Sequence, residues 1–377
     1  MQEYVVQEGD SLYTIAHKFG ITPALILLTN PFITDPAELH PGITLNIPEN
    51  PESAMQIYVN GYAFPTIDMD VLRRTLPYLT YLSIFSYQVL PTGNVTPISD
   101  MPLITAARDA NVAPLMVITN IGEGGSFSSD LAHTILTDNA VQNTLLNNVV
   151  NILKSKNYYG LDVDFEYIFP ADGPAYVRFL QTVAARLHPL GYIVSTALAP
   201  KISAEQQGLL YEAHDYAAIG AIVDHVILMT YEWGHTYGPP MAVAPVNQVR
   251  RVLEYAVTAI EPGKILMGMS NYGYDWTLPY VQGRAARSIS FAQAQELAQQ
   301  HKAQIQFDPQ AQAPYFYYED EDGVRHVVWF DNRESLRARY ALVDEFNLGG
   351  VSYWTINRFS PISYGLLSAM FQIRKVI

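Results

Sequence analysis

From residue 55 to the end of the chain, short apolar segments alternate with amphipathic stretches. The apolar segments predict strands at 56–62, 81–87, 113–120, 160–167, 192–199, 225–231, 264–272 and 349–354. Between them, apolar residues recur at helical spacing, as in 141–154, 174–188 and 247–260. Near-continuous apolar strands are typical of a parallel sheet that helices cover. Eight such strands alternating with helices predict an α/β protein, a (β/α)₈ TIM barrel.

One region after the seventh predicted strand departs from this alternation. Residues 289–300 have a helical pattern, and 313–318 and 324–330 have strand patterns. Asp320-Glu321-Asp322-Gly323 is a turn signal between those two strands. We therefore expect a small α+β insertion at about 286–331 that walls one side of the cleft above the barrel.

The first fifty residues form a separate small unit. Tyr4-Val5-Val6 predicts a strand, and apolar residues at helical spacing then predict a helix that Gly20 ends. Pro23 is placed to begin a second helix, and 43–48 predict a returning strand. The polar, proline-containing segment 49–53 reads as a linker. We expect a βααβ domain at 1–49 and the barrel at 55–377.

This first unit resembles a LysM module. The similarity runs through YVVQEGDSLYTIAHKFGITPALILLTN and LHPGITLNIP. The resemblance implies binding of N-acetylglucosamine-containing glycans, whereas the alternative is a generic small α+β domain that binds nothing. The glycan-binding residues expected from the resemblance are Gly9, Asp10, Ser11, Leu12, Asn30 and Pro31.

Net charge and composition limit the classes of molecule that the protein is expected to bind. The net charge is −14, and phosphate binding needs clustered positive charge, so we expect no nucleic acid partner. The chain has no cysteine, which excludes disulfides and thiolate metal sites. It has no apolar run of membrane-spanning length and no basic, then apolar start typical of a secretory signal. We expect a monomer with no membrane partner.

Three acids stand at alternate positions of the fourth predicted strand: Asp162, Asp164 and Glu166. Because side chains on a strand alternate between faces, all three point the same way, about 6.6 Å apart along the strand. The residues between them are apolar and suit the helical shell, so we expect the acids to face the barrel interior. The alternative is an exposed edge strand with one charged face.

With its surroundings, this strand resembles glycoside hydrolase family 18, whose fourth strand reads D-x-x-D-x-D-x-E. Tyr159 stands at the first acidic position, which is a departure from the pattern. The segment 121–126 is similar to the family's S-x-G-G, and 229–232 is similar to its M-x-Y-D with Glu232 in place of Asp. The substrate-binding residues that we expect from the resemblance and from strand ends are Trp354, Glu232, Tyr62, Gly124 and Tyr272.

The resemblance implies a retaining, substrate-assisted mechanism. Glu166 would donate the proton, and Asp164 would accept the N–H of the sugar's acetamido group. Tyr231 would hold the acetamido oxygen, and Asp162 would share a proton or hydrogen bond with Asp164. We expect no cofactor and no metal, and we interpret His225 and His235, which flank the sixth strand, as structural.

A LysM module joined to such a barrel, without a signal peptide or cysteine, resembles bacterial spore enzymes that degrade cortex peptidoglycan. We therefore expect an N-acetylglucosaminidase acting on peptidoglycan or another N-acetylglucosamine polymer, in the spore coat, cortex or cell wall of a spore-forming bacterium. The alternatives are a chitinase, a lectin-like glycan-binding barrel, and a spore coat or germination protein. Endo or exo cleavage and any requirement for muramic lactam stay open.

Overall fold

The computed structural model describes residues 2–21, 23–30, 33, 39–47 and 55–377. Pro31 and the predicted linker 49–53 lie outside the described residues. None of the helices in the described part is long and apolar enough to cross a membrane.

The strands and helices are numbered separately in chain order. The strands are β1 Gln2–Val5, β2 Thr44–Ile47, β3 Gln56–Ala63, β4 Tyr81–Gln88, β5 Ala113–Thr119, β6 Gly160–Asp164, β7 Ile193–Leu198, β8 His225–Leu228, β9 Ile265–Ser270, β10 Gly273–Thr277, β11 Arg287–Ile289, β12 Gln306–Asp308, β13 Ala313–Glu319, β14 Arg325–Trp329, β15 Gly350–Trp354 and β16 Gln372–Ile373. The helices are α1 Leu12–Phe19, α2 Pro23–Thr29, α3 Met69–Thr75, α4 Met101–Asp109, α5 Ser129–Thr137, α6 Asn139–Lys156, α7 Gly173–Leu187, α8 Tyr216–Ile222, α9 Val246–Ala259, α10 Phe291–Gln300, α11 Arg333–Glu345 and α12 Pro361–Met370.

The N-terminal unit has the predicted βααβ order. β1 pairs antiparallel with β2 around a small apolar core. Ser11 caps α1 through its hydroxyl, which accepts the backbone N–H of Thr14. Gly20 ends the helix in the left-handed region, at φ 67°. Helix α2 packs against α12 of the barrel.

The large unit is a closed parallel barrel, as predicted. From β3 to β9, each long strand pairs with the next, and β15 pairs with both β9 and β3 to close the ring. The outward-facing residues of β6 and its extension, Leu161, Val163 and Phe165, are fully buried. Phe165 stacks on Phe179 of α7 at 5.6 Å. The apolar set therefore faces the helices, and the acids face inward.

Two predicted strands end three residues earlier than expected. β6 ends at Asp164 and β8 at Leu228, so Glu166 and Tyr231 lie in loops just beyond the strands. After Glu166 the chain turns at Tyr167, whose φ is 54°. After β8, backbone hydrogen bonds become local, since the N–H of Thr230 donates to the Leu228 carbonyl. An apolar pattern does not reveal such turns.

The insertion is an antiparallel sheet in the order β11-β10-β14-β13-β12, accompanied by α10. The predicted start near residue 286 is wrong, because β10 already begins at Gly273. Only two residues separate β9 from β10, too few for a loop that would interrupt the strand pattern. The pattern of apolar and polar residues therefore does not mark the point where the chain leaves the barrel.

Candidate active site

The carboxyl ends of the barrel strands surround a cleft of about 490 Å³. Its lining is Tyr62, Phe127, Asp164, Glu166, Tyr167, Ala197, Pro200, Leu210, Tyr211, Met229, Tyr231, Glu232, Trp233, His235 and Trp354. A cleft of this size, mostly apolar with a few convergent polar groups, is typical of a small-ligand site.

Asp162 is the deepest of the three acids and is fully buried. The hydroxyl of Tyr62 donates to its Oδ2 at 2.7 Å, and the hydroxyl of Ser195 donates to its Oδ1 at 2.6 Å. Burial raises the pKa of Asp162 to about 6, and the two hydrogen bonds oppose that rise. Both carboxylate oxygens are thus engaged, and the expected hydrogen bond to Asp164 is not formed in this state.

Asp164 lies at the end of β6 and is 4% exposed. Its Oδ1 is buried and has no hydrogen-bond partner among the described residues. Burial, then the neighbouring charges of Glu166 and Asp162, raises the pKa of Asp164 well above its usual range. A buried polar atom without a partner is costly, so Asp164 is suited to a hydrogen bond from a ligand.

Glu166 is held through its backbone by Asn120, the residue after β5. The Asn120 Nδ2 donates to the Glu166 carbonyl at 2.8 Å, and the Glu166 N–H donates to Asn120 Oδ1 at 3.0 Å. Burial raises the pKa of Glu166 to about 7. The carboxyl therefore retains a proton close to neutral pH while it lines the open cleft.

Tyr231 lies beyond β8 and faces the same acids. Burial, then Asp164 and Glu166, raises the pKa of Tyr231 well above its usual range, so its hydroxyl stays a donor. Gly268 on β9 makes room for it. A Cβ at position 268 would lie 2.7 Å from the Tyr231 ring and 2.5 Å from the Leu228 carbonyl oxygen. Any larger residue there would displace the tyrosine.

Aromatic rings form the side of the cleft opposite Glu166. Trp354 ends β15 and packs edge-to-face on Phe85 at 4.8 Å, on Tyr62 at 5.5 Å and on Phe64 at 5.9 Å. These contacts fix the indole while leaving part of it in the cleft. A fixed aromatic face is suited to stacking on the C–H face of a sugar ring.

Glu232 occupies the boundary between this cleft and a second one of about 400 Å³. Its φ is 66°, in the left-handed region. Its Oε1 accepts hydrogen bonds from the hydroxyls of Tyr272 and Tyr274, the latter at 3.1 Å. Burial raises the pKa of Glu232, and these hydrogen bonds oppose the rise. Tyr272 and Tyr274 both line the second cleft, and Tyr274 was not among the expected residues.

Two expectations for the barrel need correction. Gly124 is exposed, has no other group near its Cβ position, and lines neither cleft. Its loop reaches the main cleft through Phe127 instead, because the turn at 122–125 carries the glycines outward. His235, interpreted as structural, lines the main cleft. His225 is buried at the opposite end of the barrel, where its Nε2 contacts the Tyr81 hydroxyl at 3.1 Å.

Sequence reasoning also missed several contributors to the site. Asn120 stood at the end of the third predicted strand, and a polar residue closing an apolar run was the one available signal. Tyr167 ended the fourth predicted strand, but it lines the cleft from the loop after β6. Tyr211 lines the cleft from the loop after β7, where no periodic pattern exists.

Within the N-terminal unit, two expected glycan-binding residues are part of the interior. Asn30 is fully buried, and its amide bonds to the backbone of Ile26 and, in both directions, of Asn46. Leu12 is 6% exposed and packs in the core. An amide that is saturated by its own domain cannot also bind a glycan, so Asn30 joins α2 to β2.

The remaining expected residues that the structure describes, Gly9, Asp10 and Ser11, lie at the surface turn before α1. Asp10 accepts hydrogen bonds from the Tyr4 hydroxyl at 2.6 Å and the Gln7 N–H at 2.8 Å. Gly9 takes a φ of 87°, and Ser11 caps α1. Next to them, Tyr13 is 71% exposed and was not predicted. This turn is the part of the expected site that is open to a ligand.

Comparisons with known proteins identify the families to which the two units are similar. The family model for glycosyl hydrolases family 18 matches residues 71–358, and that for the LysM domain matches residues 4–48. A cortical fragment-lytic enzyme from Bacillus subtilis (strain 168) is 42% identical, with 100% of this chain and 99% of that protein covered.

Solved structures give the same result. The spore cortex-lytic enzyme SleL of Bacillus megaterium QM B1551 is 40% identical, with a TM-score of 0.86 over 100% of this chain and 87% of that one. SleL of Bacillus cereus is 38% identical, with a TM-score of 0.85 over 99% and 87%. The chain belongs to glycosyl hydrolases family 18 and is a glycoside hydrolase with an N-terminal LysM domain.

Proposed function

We propose that this glycoside hydrolase cleaves N-acetylglucosaminyl linkages in spore cortex peptidoglycan. Relatives over the whole chain are named cortical fragment-lytic and spore cortex-lytic enzymes, which supports cortex as the substrate. The observation that carries the mechanism is the pair formed by Glu166, with a pKa of about 7, and Asp164, with a free buried oxygen.

The first step uses Glu166 as the acid. Its proton goes to the glycosidic oxygen, the bond from that oxygen to C1 breaks, and the carbonyl oxygen of the sugar's own 2-acetamido group bonds to C1. The product is a cyclic oxazolinium, with the leaving-group sugar released as an alcohol. General acid help of this kind contributes about 10²–10⁴-fold in rate.

Asp164 and Tyr231 orient the attacking group. The free Oδ1 of Asp164 accepts the acetamido N–H, whose positive character grows as the ring closes. The Tyr231 hydroxyl donates to the acetamido oxygen and keeps it in line with C1. Asp162 acts on Asp164 through its charge, since its own oxygens are bound by Tyr62 and Ser195.

The second step reverses the role of Glu166. Its carboxylate takes a proton from water, the water oxygen bonds to C1, and the oxazolinium opens to restore the acetamido group. Two displacements at C1 leave its configuration unchanged.

Product analysis tests the proposal. Purified cortex peptidoglycan and chitin oligomers are digested separately, and the products are reduced and identified by mass spectrometry. The proposal predicts N-acetylglucosamine at the new reducing ends of cortex fragments. New muramic reducing ends, or products from chitin alone, would contradict it.

A further inference from the structure

A histidine that the proposed mechanism does not use lies next to the backbone that carries Glu166. His214 ends the loop between β7 and α8, and it is 1% exposed. Its ring packs against Tyr176 of α7, with the ring centroids 5.8 Å apart. Because burial removes the imidazole from water, its two nitrogens need hydrogen-bond partners within the protein.

Both ring nitrogens of His214 have such partners in the backbone at strand ends. Nε2 lies 3.2 Å from the carbonyl oxygen of Phe165, and the N–H of Ala199 donates to Nδ1 at 3.0 Å. Phe165 directly follows β6, and Ala199 directly follows β7. The imidazole therefore joins the ends of two paired strands of the barrel.

These two partners determine where the imidazole proton lies. A carbonyl oxygen only accepts, so Nε2 carries a hydrogen, and a backbone N–H only donates, so Nδ1 carries none. Burial lowers the pKa of His214 to about 4, the hydrogen bond to Phe165 opposes that shift, and the charge of Lys201 adds to it. The ring is therefore neutral near the pKa of Glu166, which is about 7.

The peptide group between Phe165 and Glu166 is held at both of its polar atoms. Its carbonyl accepts from His214 on the β7 side, and its N–H donates to Asn120 Oδ1 on the β5 side at 3.0 Å. A planar peptide that is fixed at its oxygen and at its nitrogen cannot rotate without breaking one of these bonds. The start of the Glu166 residue is fixed with it.

The backbone of His214 belongs to a wall of the same cleft. Its N–H donates to the Tyr211 carbonyl at 3.1 Å, and its carbonyl accepts from Nζ of Lys201 at 3.0 Å. Tyr211 lines the main cleft together with Glu166. Lys201 is itself 2% exposed. The loop therefore holds His214 in place, and the ring of His214 is fixed relative to the site.

We propose that His214 is a positioning residue for the proton donor, whose neutral imidazole holds the Phe165 carbonyl and thereby keeps the Glu166 carboxyl directed at the glycosidic oxygen. Asn120 holds the other end of the same peptide group. This inference rests on the proposed role of Glu166 as the acid. A displacement of the carboxyl by about 1 Å slows proton transfer by about 10–100-fold and leaves substrate binding nearly unchanged.

Two substitutions separate the two hydrogen bonds of the imidazole. In His214→Gln, the amide nitrogen reaches nearly as far as Nε2 and donates to the Phe165 carbonyl, but nothing replaces Nδ1. In His214→Asn, the amide oxygen lies near the position of Nδ1 and accepts from the Ala199 N–H, but no donor reaches Phe165. Each variant loses one buried hydrogen bond, so the two are matched in what they cost the fold.

Values of kcat and KM are measured on soluble fragments of cortex peptidoglycan, well below the melting temperature. His214→Asn is expected to lower kcat about 10–100-fold with KM within about twofold, and His214→Gln to keep kcat within about threefold of the unmodified chain. His225→Asn is the control, because His225 is also buried but lies at the opposite end of the barrel. It is expected to lower the melting temperature and to leave kcat unchanged.

A purely structural role for His214 would affect the two variants alike. A kcat for His214→Asn that equals or exceeds that of His214→Gln overturns the proposal. If His214→Asn does not fold, nitrogen NMR of the histidine side chains decides, and His214→Gln identifies the His214 signals by their absence. The proposal requires a neutral ring with its hydrogen on Nε2 between about pH 6 and 8, and a cationic ring or a hydrogen on Nδ1 contradicts it.

Failure of the proposed function would give a different result. If Glu166→Gln turns over as fast as the unmodified chain, Glu166 is not the acid, and the role of His214 falls with it. If Glu166→Gln is inactive while the two His214 variants behave alike, only the positioning role is lost. If the unmodified chain cleaves chitin oligomers and not cortex fragments, the proposed substrate is wrong, and the same comparison on chitin oligomers tests His214.

Discussion

The side-chain amide of Asn120 forms two hydrogen bonds with the backbone of Glu166. The amide donates to the Glu166 carbonyl at 2.8 Å and accepts from the Glu166 N–H at 3.0 Å. It also donates to the Ser128 carbonyl at 3.0 Å, which fixes the amide itself. Because β6 ends at Asp164, the sheet no longer holds the chain where Glu166 begins. Asn120 replaces the missing strand hydrogen bonds.

Asn120→Ala is expected to lower kcat by about 10–100-fold with a smaller change in KM. A displacement of a catalytic group by about 1 Å costs on that order. Steady-state kinetics on a soluble oligomer measure this, and the basic limb of the pH profile reports whether the Glu166 environment has changed.

A purely structural role for Asn120 would give a different result. The melting temperature would fall while kcat at low temperature and the pH profile stayed as in the unmodified chain. Asn120→Asp provides the matched comparison, since it retains an acceptor for the Glu166 N–H and loses the donor to its carbonyl.

The barrel and the inward-facing acids were predictable because both depend on periodic patterns of neighbouring residues in the sequence. Asp162 and Asp164 alternate with fully buried apolar residues, and an alternation of period two places them on the inner face. The same locality explains the prediction for α1, which Gly20 ends as expected.

Other features depend on contacts between distant segments. Asn120 is hydrogen-bonded to Glu166, which is 46 positions away in the sequence, and Tyr274 is hydrogen-bonded to Glu232, which is 42 positions away. No spacing rule joins such pairs. Asn30 misled for a related reason: the resemblance placed it among the glycan-binding residues, while its amide is saturated by Ile26 and by Asn46, 16 positions away.

Glu166→Gln is expected to retain the fold and lose at least about 10²–10⁴-fold in kcat, because glutamine has no transferable proton. Circular dichroism and kinetics on the same preparation measure both properties. Glu123→Gln is the control, since Glu123 is exposed and lines neither cleft. Comparable turnover in the two purified variants would remove Glu166 from its role as acid.

Turnover is expected to fall as the pH rises through about 7. Burial raises the pKa of Glu166 to about 7, and only the protonated carboxyl can donate. A pH series of kcat/KM for the unmodified chain gives this limb directly. A profile that stays flat from pH 6 to 9 would show that Glu166 does not limit the reaction by its protonation.

The same raised pKa predicts a stability change of definite sign. The folded chain binds the Glu166 proton more tightly than the unfolded chain, so stability is lost as the pH rises from the ordinary glutamate range through about 7. Glu166→Gln removes that loss, worth up to about 3 kcal/mol. Urea unfolding at pH 4.5 and pH 8 is expected to show the variant gaining relative to the unmodified chain only at pH 8.

Tyr231→Phe is expected to lower kcat by about tenfold to a hundredfold with KM little changed. The hydroxyl is proposed to act on the acetamido oxygen as it attacks C1, so its loss affects the transition state more than substrate binding. The ring stays, and its packing beside Gly268 is preserved. A rise in KM at constant kcat would instead assign Tyr231 to ground-state binding.

The LysM domain offers a contrast between an exposed and a buried residue. Tyr13 is 71% exposed beside the turn at Gly9–Ser11, so Tyr13→Ala removes a stacking surface without touching the core. In the Glu166→Gln background, it is expected to weaken cosedimentation with insoluble peptidoglycan several-fold. Turnover of a soluble oligomer by the Tyr13→Ala single variant is expected to stay unchanged.

Asn30→Ala is the matched variant from the interior of the same domain. It removes the Asn30 acceptor of the Asn46 N–H and one donor to the Asn46 carbonyl, which keeps the Thr29 hydroxyl, and this destabilises the domain by about 1–3 kcal/mol. Its cosedimentation should therefore fall only when the LysM domain unfolds, with a melting transition that shifts in parallel. Weak binding by Asn30→Ala with an unchanged transition would show instead that Asn30 contacts the glycan, and full binding by Tyr13→Ala would place the glycan elsewhere.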